Sequence, residues 1–144
     1  MLDNTDKKIL DELKKNSRIT MKELGKKVHL TGQAASTRVL RLEEKGIIKG
    51  YTIDIDENKV GNSVHVMIDI HTKSTHHTPY LLFINSQEKY ILHNYKVSGD
   101  CCYMLECKFP SNEVLDKFLI ELNRYVNYTL TVIIDDKIMP ILTY

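Results

Sequence analysis

Apolar positions recur along this 144-residue chain with two periods, and the change of period falls near residue 50. Before it the spacing is helical. Ile9, Leu10 and Leu13 form a stripe behind Asp3, Asn4 and Thr5, whose side-chain oxygens suit a helix start. Met21, Leu24 and Val28 form a second stripe, and Thr20 with Glu23, three residues on, fits a capping box ahead of it. The segment "VHLT", 28–31, leaves room only for a tight turn, after which Thr31 caps a third helix over 32–45. At about 100° per residue, Ala35, Val39 and Leu42 share one side of that helix and predict its buried face. Three short helices, the last two joined by a tight turn, predict a helix-turn-helix of the winged-helix type.

Beyond Gly46, a helix stop, alternation takes over. Ile47 to Ile55 reads as an extended linker strand, followed by a turn at "DENKVG", 56–61. Val64, Val66, Ile68 and Ile70 alternate with His65, Met67, Asp69 and His71 as a half-buried strand. Residues 78–87 predict a helix with Pro79 in its first turn. Strands are expected over Tyr90 to Val97 and Cys102 to Phe109, a helix capped by Ser111, and a last strand over Tyr128 to Ile138. Strand, helix, strand, strand, helix, strand is the ferredoxin-like βαββαβ order. The expected class is therefore α+β: a DNA-binding domain at 1–50, a linker strand and turn at 51–61, and a ferredoxin-like domain at 62–144. An open sheet with helices on one side leaves its other face uncovered, which calls for a partner.

Charge sharpens the first half. Residues 1–53 hold twelve Lys or Arg against seven Asp or Glu, a net of +5, whereas the remainder is net −4. Only the amino-terminal part is thus suited to a polyanion. Opposite the apolar side of the third helix lie Gln33, Thr37, Arg41 and Glu44, with Ser36 and Ala34 nearby and Arg38 at the edge. Gln and Arg can hydrogen-bond purine edges in pairs, and Thr31, Ser36 or Thr37 can meet bases or phosphates. Lys22 and Lys26, one helix earlier, are placed for phosphates. The expected partner is double-stranded DNA.

Other chemistry recedes. The composition, 42% apolar and 27% charged, is that of a globular protein. The chain has no apolar run near the roughly 18 residues of a membrane span and no signal-peptide pattern, so a cytoplasmic location without membrane contact is expected. Three cysteines, two of them adjacent at Cys101 and Cys102, make no disulfide framework. Nothing positive flanks that pair to lower a thiol pKa, and Asp100 would raise it. His76 and His77, with His71 or His93, read as exposed loop histidines in preference to metal ligands. No phosphate loop or nucleophile constellation is present, so no enzyme, cofactor or metal is expected.

Residues 2–56 resemble the amino-terminal half of Lrp/AsnC-type transcriptional regulators. The opening pattern is met by Leu2, Asp3, Asp6, Ile9 and Leu10, and the later signature by Arg38, Val39, Arg41, Leu42, Glu43, Gly46, Ile47, Ile48, Lys49, Gly50 and Tyr51. Gly32 departs from it, standing where the family often has Pro. The resemblance implies a carboxyl-terminal regulatory domain of the topology above, a homodimer formed through sheet faces, further assembly into octamers, and a candidate amino-acid effector. In relatives that bind amino acids the effector hairpin carries Val, Thr or Ser, Gly, two residues, then Asp and an aromatic. Here Val97, Ser98, Gly99 and Tyr103 match, Cys102 occupies the Asp position, and Asp100 lies two residues earlier. The expected function is DNA reading by helix 32–45. The alternative is an architectural protein that wraps or bends DNA without a ligand.

Overall fold

The computed structural model describes residues 1–135, which fall into two units divided after Asp54. The first holds helices α1 (Asn4–Lys15), α2 (Met21–Val28) and α3 (Gly32–Glu44). Each starts on a side-chain cap that satisfies an otherwise orphaned amide. Thr20 Oγ1 accepts from Glu23 N at 3.2 Å, and Thr31 Oγ1 from Ala34 N at 3.1 Å. The reciprocal box forms at α1, where Asp3 Oδ1 accepts from Asp6 N at 2.7 Å and Asp3 N donates to Asp6 Oδ2 at 3.4 Å. The three apolar stripes then meet in one core of Ile9, Leu13, Ile19, Leu24, Val28, Ala35, Val39 and Leu42.

The turn between α2 and α3 is tight in two ways. Leu30 N donates to Gly25 O at 2.8 Å, and His29 ends α2 in the left-handed region, at φ 60° and ψ 42°. His29 is the one non-glycine residue of positive φ among the described residues. A β-carbon there costs about 1–2 kcal/mol, against about 0.5–1 kcal/mol of extra chain entropy for a glycine. His29→Gly is therefore expected to stabilise the first unit by about 0.5–1 kcal/mol in a denaturant titration. A lowered midpoint would mean that the imidazole makes a contact worth more than the strain.

The linker strand expected over Ile47 to Ile55 does not form: this stretch carries no ladder. Its alternation is absorbed differently. Ile47 N and Ile48 N both donate to Leu42 O, at 2.9 and 3.1 Å, turning the chain back on α3. Ile48 packs on the helical core, and the Tyr51 hydroxyl donates to Glu43 Oε1 at 2.7 Å. A strand needs a partner edge, and alternation alone does not supply one. The turn after it is present, with Asp56 Oδ1 accepting from Asn58 N and Lys59 N.

The second unit contains β1 (Val64–Thr72), α4 (Thr78–Ser86), a 3-10 turn at Glu88–Tyr90, β2 (Ile91–Lys96), β3 (Tyr103–Phe109), α5 (Asn112–Leu122) and β4 (Val126–Val132). The sheet order is β2-β3-β1-β4, antiparallel throughout, with Ile68 opposite Leu105 on one side and Leu130 on the other. This is the expected ferredoxin-like arrangement. The last strand begins two residues before the expected Tyr128, and residues 136–138 of that expectation lie outside the described residues. Period-two alternation puts Val66, Ile68, Ile70, Leu105, Cys107 and Phe109 on one face, under Tyr80 and Ile84 of α4 and Leu115, Phe118 and Leu122 of α5. His65, Met67, Asp69 and His71 fall on the other, together with Met104, Glu106 and Lys108.

Candidate nucleic-acid interface

Helix α3 carries the candidate surface. Ala35, Val39 and Leu42 are buried at 0, 6 and 2% exposure, which fixes the opposite side outward. Gln33, Ser36, Thr37 and Arg41 are all exposed, as are Lys22 and Lys26 on α2. The Thr37 hydroxyl donates to Gln33 O at 3.0 Å, leaving its lone pairs free to accept. Thr31 Oγ1 accepts the cap hydrogen bond, which leaves its O–H to donate and one lone pair to accept. Together these groups offer hydrogen-bonding and cationic partners for base edges and phosphates.

Two features of this surface were not read from the sequence. Leu40 is 54% exposed, seven residues after Gln33 and three after Thr37, on their side of the helix. Its signal was an apolar residue outside the Ala35, Val39, Leu42 period, and a leucine here can meet a thymine methyl. Gly32, the departure from the family pattern, sits where an added β-carbon would lie 3.2 Å from Lys22 Cα. The start of α3 and the start of α2 therefore approach backbone to backbone.

Arg38 is placed differently from its neighbours. It is half-buried, with Nη1 2.6 Å from Asp3 Oδ2 and 3.0 Å from Asp6 Oδ1. Arg38, expected among the DNA-facing residues, has its guanidinium engaged on the amino terminus of α1. That hydrogen bond, above all, holds the Asp3 carboxyl below its ordinary 3.8 and raises Arg38. At the other end of α3, burial first and then Glu43 push the Tyr51 hydroxyl up to about 12.

The candidate effector residues do not share one surface. Ser98, Gly99 and Asp100 are exposed on the loop between β2 and β3. Tyr103 is 5% exposed in the core, its hydroxyl 2.9 Å from His77 Nδ1 and its ring 4.8 Å from that of Tyr80. Cys102 lies between, with Sγ 3.2 Å from Thr72 Oγ1. That hydrogen bond lowers the Cys102 thiol, against the expectation drawn from its sequence neighbours. Burial, with Asp69 and Asp100 among the contributors, raises Cys101, and burial pushes Cys107 up to about 12. Among the described residues no three His, Cys, Asp or Glu side chains gather as metal ligands, and no helix is long and apolar enough to cross a membrane.

Comparison with known proteins gives this geometry its context. Residues 2–49 match a family described as winged helix-turn-helix DNA-binding. The HTH-type transcriptional regulator LrpA of Bacillus subtilis is 57% identical over 134 residues, 93% of this chain and 98% of that protein. LrpB of the same organism is 41% identical over 129 residues, 90% of this chain and 86% of its own. The solved structure of B. subtilis LrpC superposes with a TM-score of 0.89 at 33% identity, covering 95% of this chain and 97% of that one. A match of 134 residues is longer than either unit and so extends over both. The chain belongs to the Lrp/AsnC family of HTH-type transcriptional regulators, DNA-binding proteins and not enzymes.

Proposed function

We propose that this regulator reads the DNA major groove with α3, as a homodimer acting in the cytoplasm. The observation that carries the reading is the outward side of α3, where Gln33, Ser36, Thr37 and Arg41 stand opposite a fully buried Ala35. Gln33 and Arg41 are assigned to base edges, and Lys22 and Lys26 to phosphates. Thr31, Ser36 and Thr37 serve either. Binding to a preferred and a scrambled site over a salt series separates the roles. Arg41→Ala should lose about 1–3 kcal/mol on the preferred site and relax selection at one base pair. Lys26→Ala should weaken both sites alike and reduce the salt slope by roughly one unit. Equal losses on both sites for Arg41→Ala and Gln33→Ala would make these backbone contacts.

Dimerisation is assigned to the uncovered sheet face. His65, Met67, Asp69 and His71 on β1 are half-buried there, and His65 Nε2 lies 3.3 Å from Glu106 Oε1. Octamers would add contacts beyond that face, and sedimentation of the full chain counts the copies. The hairpin Val97–Tyr103 is the place for an amino-acid effector, with Asp100 as the carboxylate for its ammonium group. Cys102 in place of an Asp favours the second reading, a ligand-independent architectural role, because it removes the carboxylate that would pair with an ammonium group. Footprinting on genomic fragments with an amino-acid panel decides between them. One short protected site altered by a ligand supports the effector. Long periodic protection that ignores every ligand supports the architectural role.

A further inference from the structure

The carboxylates that cap α1 also hold α3. Asp3 gives Oδ1 to the Asp6 amide and Oδ2 to Arg38 Nη1, at 2.7 and 2.6 Å. Asp6 gives Oδ2 to the Asp3 amide and Oδ1 to the same Nη1, at 3.4 and 3.0 Å. All four oxygens are thus used, each acid joining a helix start to an arginine more than thirty residues away. Asp6 is 7% exposed and is the buried charged residue among those described. A buried carboxylate without its cation is strongly unfavourable, so Arg38 is confined to this spot. Arg38 lies on α3 between Gln33 and Arg41, and on a helix the confinement of one side chain limits the rotation of the whole rod about its axis.

Resting on the proposed reading of DNA by α3, we infer that Asp3, Asp6 and Arg38 are positioning residues for sequence selection. They set the angle at which Gln33 and Arg41 meet base edges, and Arg38 itself reads no base. The alternative role for Arg38 is a phosphate contact. The two differ in sign, because removing an acid makes the domain more basic, and charge alone would tighten binding to every DNA.

The test is Asp3→Asn and Arg38→Lys in the full chain, with Arg41→Ala and Gln33→Ala alongside, on preferred and scrambled duplexes over a salt series. Asparagine caps a helix as well as aspartate, so Asp3→Asn keeps the cap of α1 while removing the shorter of the two ion pairs that hold Arg38. Lysine keeps the charge, but its ammonium ends one atom short of the Nη1 position that both carboxylates share. Both variants should lower the ratio of preferred to scrambled affinity at least about fivefold, the lower bound for one lost base contact. Scrambled-site affinity should hold or rise for Asp3→Asn, and the salt slope should be unchanged for Arg38→Lys. A ratio unchanged in both variants, with Arg41→Ala still altering it, overturns the positioning role alone. Tighter binding of Asp3→Asn to both duplexes also overturns it, leaving Arg38 as a phosphate contact. An unaltered ratio in Arg41→Ala, with the same result for Gln33→Ala, overturns the reading by α3 and this inference with it.

Discussion

Gly25→Ala destabilises the first unit by about 3 kcal/mol, the upper part of the range for forcing atoms into a packed site. The expectation runs against helix propensity, since the same change within an exposed helix gains about 1 kcal/mol. Geometry decides. A β-carbon on Gly25 would stand 2.6 Å from Leu30 O and 2.9 Å from both Thr31 C and Thr31 O. All three are backbone atoms, so no side chain can swing aside. The turn itself must shift, and with it Thr31, which caps α3. Selection between preferred and scrambled DNA should fall together with stability. Denaturant unfolding followed by far-UV circular dichroism measures the first effect, and a raised midpoint would show that the turn has slack.

Phe118→Ala should cost the second unit about 3–5 kcal/mol, the range for deleting a buried phenyl ring. Phe118 is 3% exposed, with its ring centroid 5.4 Å from that of Phe83 and 5.0 Å from that of Phe109. It joins α5 to α4 and to β3, so three elements lose a shared contact and a cavity is left between rings. That loss is a large part of the roughly 5–15 kcal/mol by which a domain is stable. Because the two units have separate cores, the helical unit should keep its own transition. Tyrosine near-UV circular dichroism isolates the effect: Tyr80, Tyr90, Tyr95, Tyr103, Tyr125 and Tyr128 are in the second unit, and Tyr51 is the described tyrosine of the first. A loss below about 1 kcal/mol would mean that the neighbouring rings close over the gap.

The elements were legible because their causes are local. Capping oxygens at Asp3, Thr20, Thr31 and Ser111 stand immediately before the helices they start. The alternation of Val66, Ile68 and Ile70 is a property of adjacent residues, and it names the buried face without any knowledge of a partner strand. The exposed side of α3 followed in the same way, as the complement of Ala35, Val39 and Leu42. The linker differs for the converse reason: Ile47 to Ile55 has the alternation of a strand, but the amides of Ile47 and Ile48 return to Leu42 and the stretch carries no ladder within this chain. Tyr103 was placed at the effector loop by its position in the hairpin, whereas His77 and Tyr80 draw it into the core.

Sequence by itself determined the helix-turn-helix, the βαββαβ order and the side of α3 that faces outward, since periodicity and capping act within one or two turns of chain. Tertiary structure alone decided which of those outward residues are free. Arg38 and Arg41 are three residues apart and chemically identical, yet one is held by Asp3 and Asp6 and the other is exposed. The same holds for Cys102, whose thiol answers to Thr72 and not to adjacent Cys101. Gly25 is the steric counterpart: its need for a bare α-carbon comes from Leu30 and Thr31 folding back over it. Electrostatics, hydrogen bonding and steric exclusion act across a few ångströms of space, and only the fold says which distant residues are brought within that reach.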